Sequence, residues 1–487
     1  MTLLNYQQAP KGVSVKYTAL AISLATLVAC QPATTESTPA VSAEVAYQAL
    51  PNYQHDVIGM QEQYLEPDFW LQRLEHPERL IMTADEVASF NDRSYAVQDE
   101  MVHLAEHPTE LSASALHEKV DAISSLPSYP RFYASGQQAT EAQLQAYRAA
   151  TNLAAVQETN PVQFGLVVKR SPMRTFPTLD KLYSNDLDLD IDRFQETGVF
   201  PGMPLAILHT SRDGKWYLAQ SYHYLAWVQA KDVAIGPRDE VLAFASKEPF
   251  AVVTEAKVET NYTPTFAPAS EVQLDMSTRL PLLSAAETGH NVHGQNPFAS
   301  YTVQLPTRDS NGQLALAPAL IARHHDVTVG YLPYTEANVI SQAFKFLGER
   351  YGWGHDFNAR DCTGFVLEVY RSMGIDMPRN SSQQGYGSYG DTVVYDETST
   401  NQEKLERLAE AKIGDLIYLP GHVVMYIGDI DGKPYVIHDV HGLSYRDAED
   451  QHYEGTLNGV SVTPLIDLGF GAKDTYLDRI YAIKSVR

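Results

Sequence analysis

Tyr351-Gly-Trp-Gly-His-Asp-Phe-Asn-Ala-Arg-Asp-Cys-Thr-Gly-Phe365 decides how this chain is read, because it holds one of only two cysteines, and the other, Cys30, closes an N-terminal leader. Downstream, Phe365, Val366, Val369, Tyr370 and Met373 fall on one helical stripe, so Cys362 stands at a helix start. A thiol there feels the positive end of the helix dipole and unpaired backbone N–H groups, both of which favour the thiolate. A lone cysteine is more often a buried structural residue, but two histidines follow in strand-like runs, Gly421-His422-Val-Val-Met-Tyr-Ile427 and Tyr435-Val-Ile-His438. Cysteine with later histidines is the trace of a Cys-His hydrolase, in which an imidazole takes the thiol proton and a third polar group orients the imidazole.

Hairpin geometry names a candidate for that third group. If Val423–Ile427 and Tyr435–Val440 pair about a turn centred on Ile430, His422 lies directly opposite His438, and opposed residues share a face. A one-residue slip would put His438 on the wrong face. Asp439 and His441 compete for the role, but Asp439 alternates away from His438, and His441 is expected past the strand in a solvated, Gly-containing turn.

Length and composition bound the rest. The 487 residues suffice for about three domains. With 36 basic and 60 acidic side chains the net charge is −24, which argues against nucleic acid or anionic lipid headgroups as partners. Apolar residues at 44% and aromatics at 10%, with 29 tyrosines, describe a globular chain. The two cysteines have separate tasks and no disulfide is expected.

Residues 1–29 carry Lys11 and Lys16 and then an apolar run too short to span a bilayer, which reads as a secretory signal. Residues 30–49 are small, polar and Pro-containing, a tether. Residues 50–158 read as helical, with amphipathic pieces at 68–74, 85–90 and 112–120 and a Thr83-x-x-Glu86 capping box. Residues 159–240 change to short strands (164–169, 204–209, 216–221, 225–229) with an Asp213-Gly214 hairpin signal, the pattern of a small β-barrel. Residues 241–332 repeat that style, with strands expected at 250–254, 301–305 and 326–330. Their His290/His293 and His324/His325 pairs have no cysteine or carboxylate cluster to complete a metal site, so no metal and no cofactor is expected. Residues 333–487 form the last domain: a helix with Ile340, Phe344, Leu347 and Tyr351 on one stripe, the Cys362 helix, and strands at 416–419, 423–427 and 435–440.

Four motifs in order, Tyr351-Gly-Trp-Gly354, Arg360-Asp-Cys-Thr-Gly-Phe365, Met377-Pro-Arg-Asn-Ser-Ser-Gln-Gln384 and Gly414-Asp-Leu-Ile-Tyr-Leu419 followed by Gly421-His-Val-Val-Met-Tyr-Ile-Gly428, resemble the NlpC/P60 family of peptidoglycan peptidases. The resemblance implies a multi-domain chain whose α+β, papain-like catalytic domain is preceded by a helical segment and two small SH3-like β-barrels. It implies Cys362, His422 and His438 as catalytic residues, Tyr351 beside the oxyanion, and Asp361, Thr363 (in place of a more usual Ser) and Ser381 in substrate contact, with Asp361 reading the free amine of an N-terminal L-Ala. The implied reaction is cleavage of the D-γ-glutamyl bond to meso-diaminopimelate in peptidoglycan stem peptides. A non-catalytic wall-binding scaffold and an amidase or acyltransferase of the same fold are the alternatives. Leu27-Val-Ala-Cys30 resembles a lipobox, which implies a lipid on Cys30, and Gln31 after it implies an outer-membrane anchor facing the periplasm, with the membrane touched through that lipid alone.

Overall fold

The computed structural model describes residue 50 and residues 53–487; the signal, the lipobox Cys30 and the tether lie outside the described residues. Local chemistry sets the helical arm. Thr83 accepts from Glu86 N while Glu86 Oε2 accepts from Thr83 N at 2.8 Å, and this capping box starts the helix Ala84–Val97. Before it, the helix Pro67–Leu71 (α1) buries Trp70 at 1% exposure. After it, Ala113–Ile123 and Glu141–Ala150 complete the arm.

The first β region closes as expected. Seven strands, β1 (Gln163–Val167), β2 (Ser171–Arg174), β3 (Gln195–Val199), β4 (Pro204–Thr210), β5 (Trp216–Gln220), β6 (Leu225–Gln229) and β7 (Val233–Gly236), form one antiparallel sheet in the order β7-β1-β4-β5-β6-β2-β3. Trp216 and Trp227 are core residues, and the Trp227 indole donates to Ser124 Oγ of the arm at 2.9 Å. The second β region departs from the single barrel expected there. Its strands divide among a three-stranded sheet (Arg279–Pro281, Phe250–Val253, Val327–Val329), a two-stranded pair (Lys257–Glu259, Gln273–Asp275) and a long hairpin (Ser300–Arg308, Leu314–Ala322).

In the last domain the helix Glu336–Phe344 (α2) and the helix Cys362–Arg371 (α3) pack on a six-stranded sheet. α2 ends at Phe344, before the Gly-rich turn to which the apolar stripe had extended it. The strands that matter for the site are β8 (Leu416–Leu419), β9 (His422–Ile430), β10 (Lys433–Arg446) and β11 (His452–Pro464), hydrogen-bonded in that order. His441 therefore lies inside a strand rather than in the turn expected for it, because β10 runs on to Arg446 against β11.

The β9–β10 hairpin corrects the expected register. Its turn is Asp431-Gly432, both with positive φ (53° and 76°), as a type I′ turn requires. Ile430 faces Lys433 and Gly428 faces Tyr435, but Tyr426 faces Val436 and Met425 faces Ile437, so Ile427 is an extra residue in β9. Such a bulge moves every residue beyond it to the other face. His422 thus lies diagonal to His438 on one face, not directly opposite it. Had Ile427 paired in regular alternation, the register set by Ile430 and Lys433 would bring Asp439 and His441 to the face of His422.

Gly428 sits at the bulge with φ 141° and its Cα against the Trp70 ring, where a Cβ would lie 3.1 Å from the nearest ring carbon. Gly428→Ala is expected to cost about 1–3 kcal/mol through backbone strain and displacement of Trp70. A lowered melting temperature in thermal denaturation checks it, and an unchanged one would show that the bulge tolerates a side chain.

Candidate active site

Asp361 is the N-cap of α3 and Cys362 its first residue. Cys362 is 6% exposed. Burial and the charge of Asp361 push its thiol up to about 12, against the opposing pull of the Val423 N–H that faces the sulfur. That contact places the residue after His422 on the Cys362 sulfur. His422 Nε2 lies 2.9 Å from His438 Nδ1, and His438 Nε2 lies 3.0 Å from Thr463 Oγ1. Burial lowers His422 to about 4 and His438 well below the usual imidazole range.

This chain of three groups dictates tautomers if His422 is to act as a base. His438 Nε2–H donates to Thr463 and His422 Nε2–H donates to His438 Nδ1, leaving the Nδ1 lone pair of His422 to take a proton. Thr463, wholly buried, is a member that the sequence did not disclose. It shares the face of His438 through the β10–β11 register, in which Val436 faces Thr463 and His438 faces Ser461.

The thiolate expected from the helix start alone is not the resting form here. Burial and Asp361 outweigh the dipole, so thiol and imidazole are both neutral in the substrate-free protein.

Around this pair lies a buried ionic clasp. Asp361 Oδ1 accepts from Gly364 N (2.8 Å) and Thr363 Oγ1 (3.1 Å), and Oδ2 accepts from Gly354 N (2.9 Å) and Arg379 Nη2 (2.8 Å). Burial alone would raise this carboxyl, but Arg379 and His355 bring it down to about 2. Arg379 also donates to Thr363 Oγ1 (2.5 Å) and, through Nε, to Thr197 Oγ1 of β3 (2.7 Å). Four donors fill the acceptor positions of Asp361, and the Thr363 hydroxyl is committed between Asp361 and Arg379. In the substrate-free protein these two side chains cap the helix and fix Arg379, a role beside the substrate contact expected of them. Ser381 begins the helix Ser381–Tyr386, and its carbonyl accepts from Tyr481 at 3.1 Å.

Tyr351 is 7% exposed, held by its N–H on Asn458 O at 3.0 Å, and its phenol stays protonated well above the usual range through burial and the neighbouring Cys362 and Asp361. The barrel closes the other side. Gln195 Nε2 donates to Gly354 O (2.6 Å), and Trp353 Nε1 donates to Gln195 O (3.1 Å). Next to Gln195, the half-buried Glu196 accepts from Thr175 and from Tyr224 (2.5 Å), whose phenol feels Arg379. The loop before β3 also reaches the edge beyond Tyr351: Asp190 accepts from Arg350 (2.6 Å) and Asn458 (2.8 Å), and His441, packed edge-on to Tyr351, lies 3.5 Å from it.

Residues 348–462 match the NlpC/P60 family, and residues 177–229 match an SH3 domain of the SH3b1 type. A γ-D-glutamyl-L-lysine dipeptidyl-peptidase of Bacillus cereus is 29% identical over 220 residues, 42% of this chain and 54% of that protein, so the chain spans about half the length of this relative. A probable endopeptidase p60 of Listeria welshimeri is 33% identical over 97 residues, 19% of this chain and 16% of that protein. Among solved structures, an NlpC/P60 endopeptidase from Photobacterium damselae subsp. piscicida covers 86% of this chain and 96% of its own at 16% identity, with a TM-score of 0.69, a likeness of fold. The chain thus carries an NlpC/P60 domain joined to an SH3b domain.

Because thiol and imidazole are neutral at rest, iodoacetamide labelling of Cys362 in the substrate-free protein is expected to climb steadily towards alkaline pH. The acid limb of kcat/KM is expected near the lowered His422 value of about 4 instead of the ordinary imidazole range, since the base works only uncharged. A labelling plateau already reached in mild acid would instead reveal a preformed thiolate–imidazolium pair.

Proposed function

We propose that this NlpC/P60 protein is a cysteine peptidase that cleaves the D-γ-glutamyl bond to meso-diaminopimelate in peptidoglycan stem peptides carrying a free N-terminal L-Ala. The observation that carries the reading is the Thr463–His438–His422 chain ending beside the residue whose N–H faces the Cys362 sulfur.

In the proposed reaction, Cys362 Sγ attacks the γ-carbonyl as His422 Nδ1 takes the thiol proton, and His438 and Thr463 hold the resulting imidazolium in place. The oxyanion sits between the Cys362 N–H and the Tyr351 phenol, two donors already in place before charge develops. Collapse expels the diaminopimelate amine, which takes the proton from His422, and water then hydrolyses the thioester by the reverse proton route.

A free α-amine requires an anion that is not already engaged. Asp361 is saturated, whereas Glu196 lies at the barrel side and holds only two hydroxyl donors, so Glu196 with Tyr224 is assigned to the ammonium. On this reading the barrel behind them excludes the sugar-linked stem, so that trimmed peptides are expected to be better substrates than intact wall. Lipidation of Cys30 and placement at the outer membrane, facing the periplasm, belong to the same proposal.

Mass spectrometry of muropeptide digests tests it: L-Ala-D-Glu is the expected product, Cys362→Ala is expected to release none, and loss of whole stem peptides from the sugar would mark an amidase instead. Glu196→Gln is expected to raise KM for free-amine substrates by about tenfold, the order of one charge-assisted hydrogen bond, with kcat little changed. Equal KM for free and N-acetylated substrates in the unsubstituted protein would remove Glu196 from the pocket.

A further inference from the structure

Asp439 is an acid that the proposed reaction does not use. It is wholly buried, and neither of its carboxyl oxygens has a hydrogen-bond partner among the described residues. Buried polar groups are nearly always paired, so an orphan beside a reaction centre calls for a reason.

The strand register places it. Asp439 faces Val460 of β11, and Arg350 faces Gly459, so Asp439, Val460 and Glu349 form a row on one face of the sheet. Arg360 spans from Glu349 (2.7 Å) to Glu368 of α3 (2.8 Å), which identifies that face as the one against α3. On the other side the last paired residues of β9 and β10 are Met425 and Ile437, and beyond them the Val423 N–H faces the sulfur of Cys362. Asp439 therefore lies near both Cys362 and Tyr351, each of which feels its charge.

Among the described residues the neighbouring cations are already paired. Arg360 is engaged by Glu349, Glu368 and Asp275, and Arg379 by Asp361. The groups facing Asp439 are Glu349 and Tyr351 from the edge segment, Asp361 and Cys362 from the start of α3, and Arg360; from β9 and β11 it meets the aliphatic Val423 and Val460. Burial, Asp361 and Glu349 all disfavour its ionised form and only Arg360 favours it, so the carboxyl holds its proton well above the usual carboxylate range.

We propose that Asp439 is a positioning residue for the nucleophile: protonated, it leaves Cys362 free to pass its proton to His422, and once ionised it opposes both the thiolate and the oxyanion at Tyr351, so that it sets the alkaline limit of the reaction. This rests on Cys362 being the nucleophile. Ionisation of Asp439 releases one proton to solvent and alters no bond of the substrate.

The test compares the full chain with Asp439→Asn and Asp439→Ser, measuring kcat/KM on L-Ala-γ-D-Glu-meso-diaminopimelate and iodoacetamide labelling of Cys362 across pH. In the unsubstituted protein kcat/KM is expected to fall at alkaline pH. In both variants the fall is expected to move to higher pH, with a roughly tenfold faster rate at the alkaline end, the equivalent of about one pKa unit at the thiol, and an unchanged acid limb. Superimposable profiles would overturn the assignment. If the unsubstituted protein cleaves nothing, the peptidase reading fails, but the labelling curves still decide for Asp439: a shift to lower pH in the variants supports it, and coincidence overturns it. If neither variant folds, infrared difference spectra of the unsubstituted protein carry the test. A protonated carboxyl C=O stretch present at neutral pH and lost in step with the alkaline fall supports the role, and no such band overturns it.

Discussion

The hydrogen bond between His422 Nε2 and His438 Nδ1, at 2.9 Å, is the contact on which the rest of the site depends, and it exists because β9 carries one residue more than its partner. The type I′ turn at Asp431-Gly432 would by itself align His422 with the face that carries Asp439 and His441. Ile427, inserted at the bulge, reverses that choice. The bulge is in turn supported from outside the catalytic domain, since Gly428 leaves the space that the Trp70 ring of the helical arm occupies. A packing contact in the arm thus accompanies the register that brings His422 to His438.

The electrostatics of the site follow from burial more than from the helix dipole. A dipole contributes of the order of 0.3–1 kcal/mol at an exposed terminus, and each pKa unit corresponds to about 1.4 kcal/mol. Displacement of the Cys362 thiol to about 12 therefore exceeds what the helix start could supply in the other direction. A neutral thiol beside a neutral imidazole avoids the cost of a buried ion pair in the resting protein.

Much of this was legible in the residues themselves. The capping box at Thr83, the Asp213-Gly214 hairpin, the strands at 225–229 and 416–419 and the helix begun by Cys362 all follow from local patterns whose period or cap chemistry admits one reading. Membership of His422 and His438 in one face was legible too, but not the way it arises, because a bulge leaves no mark on alternation beyond a glycine that has several other uses. Asp361 and Thr363 were assigned to the substrate because nothing local reveals that an arginine from 18 residues downstream occupies them. Thr463 and Glu196 escaped notice because each is defined by a neighbouring strand or domain, and neither stands in a run with its own periodicity.

The same reasoning explains how separate domains build one site in a chain of net charge −24. Arg360 is wholly buried and spans three carboxylates from three segments: Asp275 of the second β region, Glu349 before the Gly-rich turn and Glu368 of α3. Arg170 of the barrel donates to the carbonyls of His355 (3.1 Å) and Ala359 (2.9 Å) and pairs with Asp275 (3.3 Å). Buried ion networks add little to stability compared with well-packed apolar side chains, but they do not tolerate a misplaced member, because each lost partner leaves an uncompensated charge. An apolar contact between the domains would permit sliding, whereas this lattice permits one arrangement. That arrangement fixes the turn from Gly352 to Asp361, and with it the position of Cys362 relative to a barrel that supplies Thr197 and Glu196. The two β regions therefore hold the start of α3 in place through geometry.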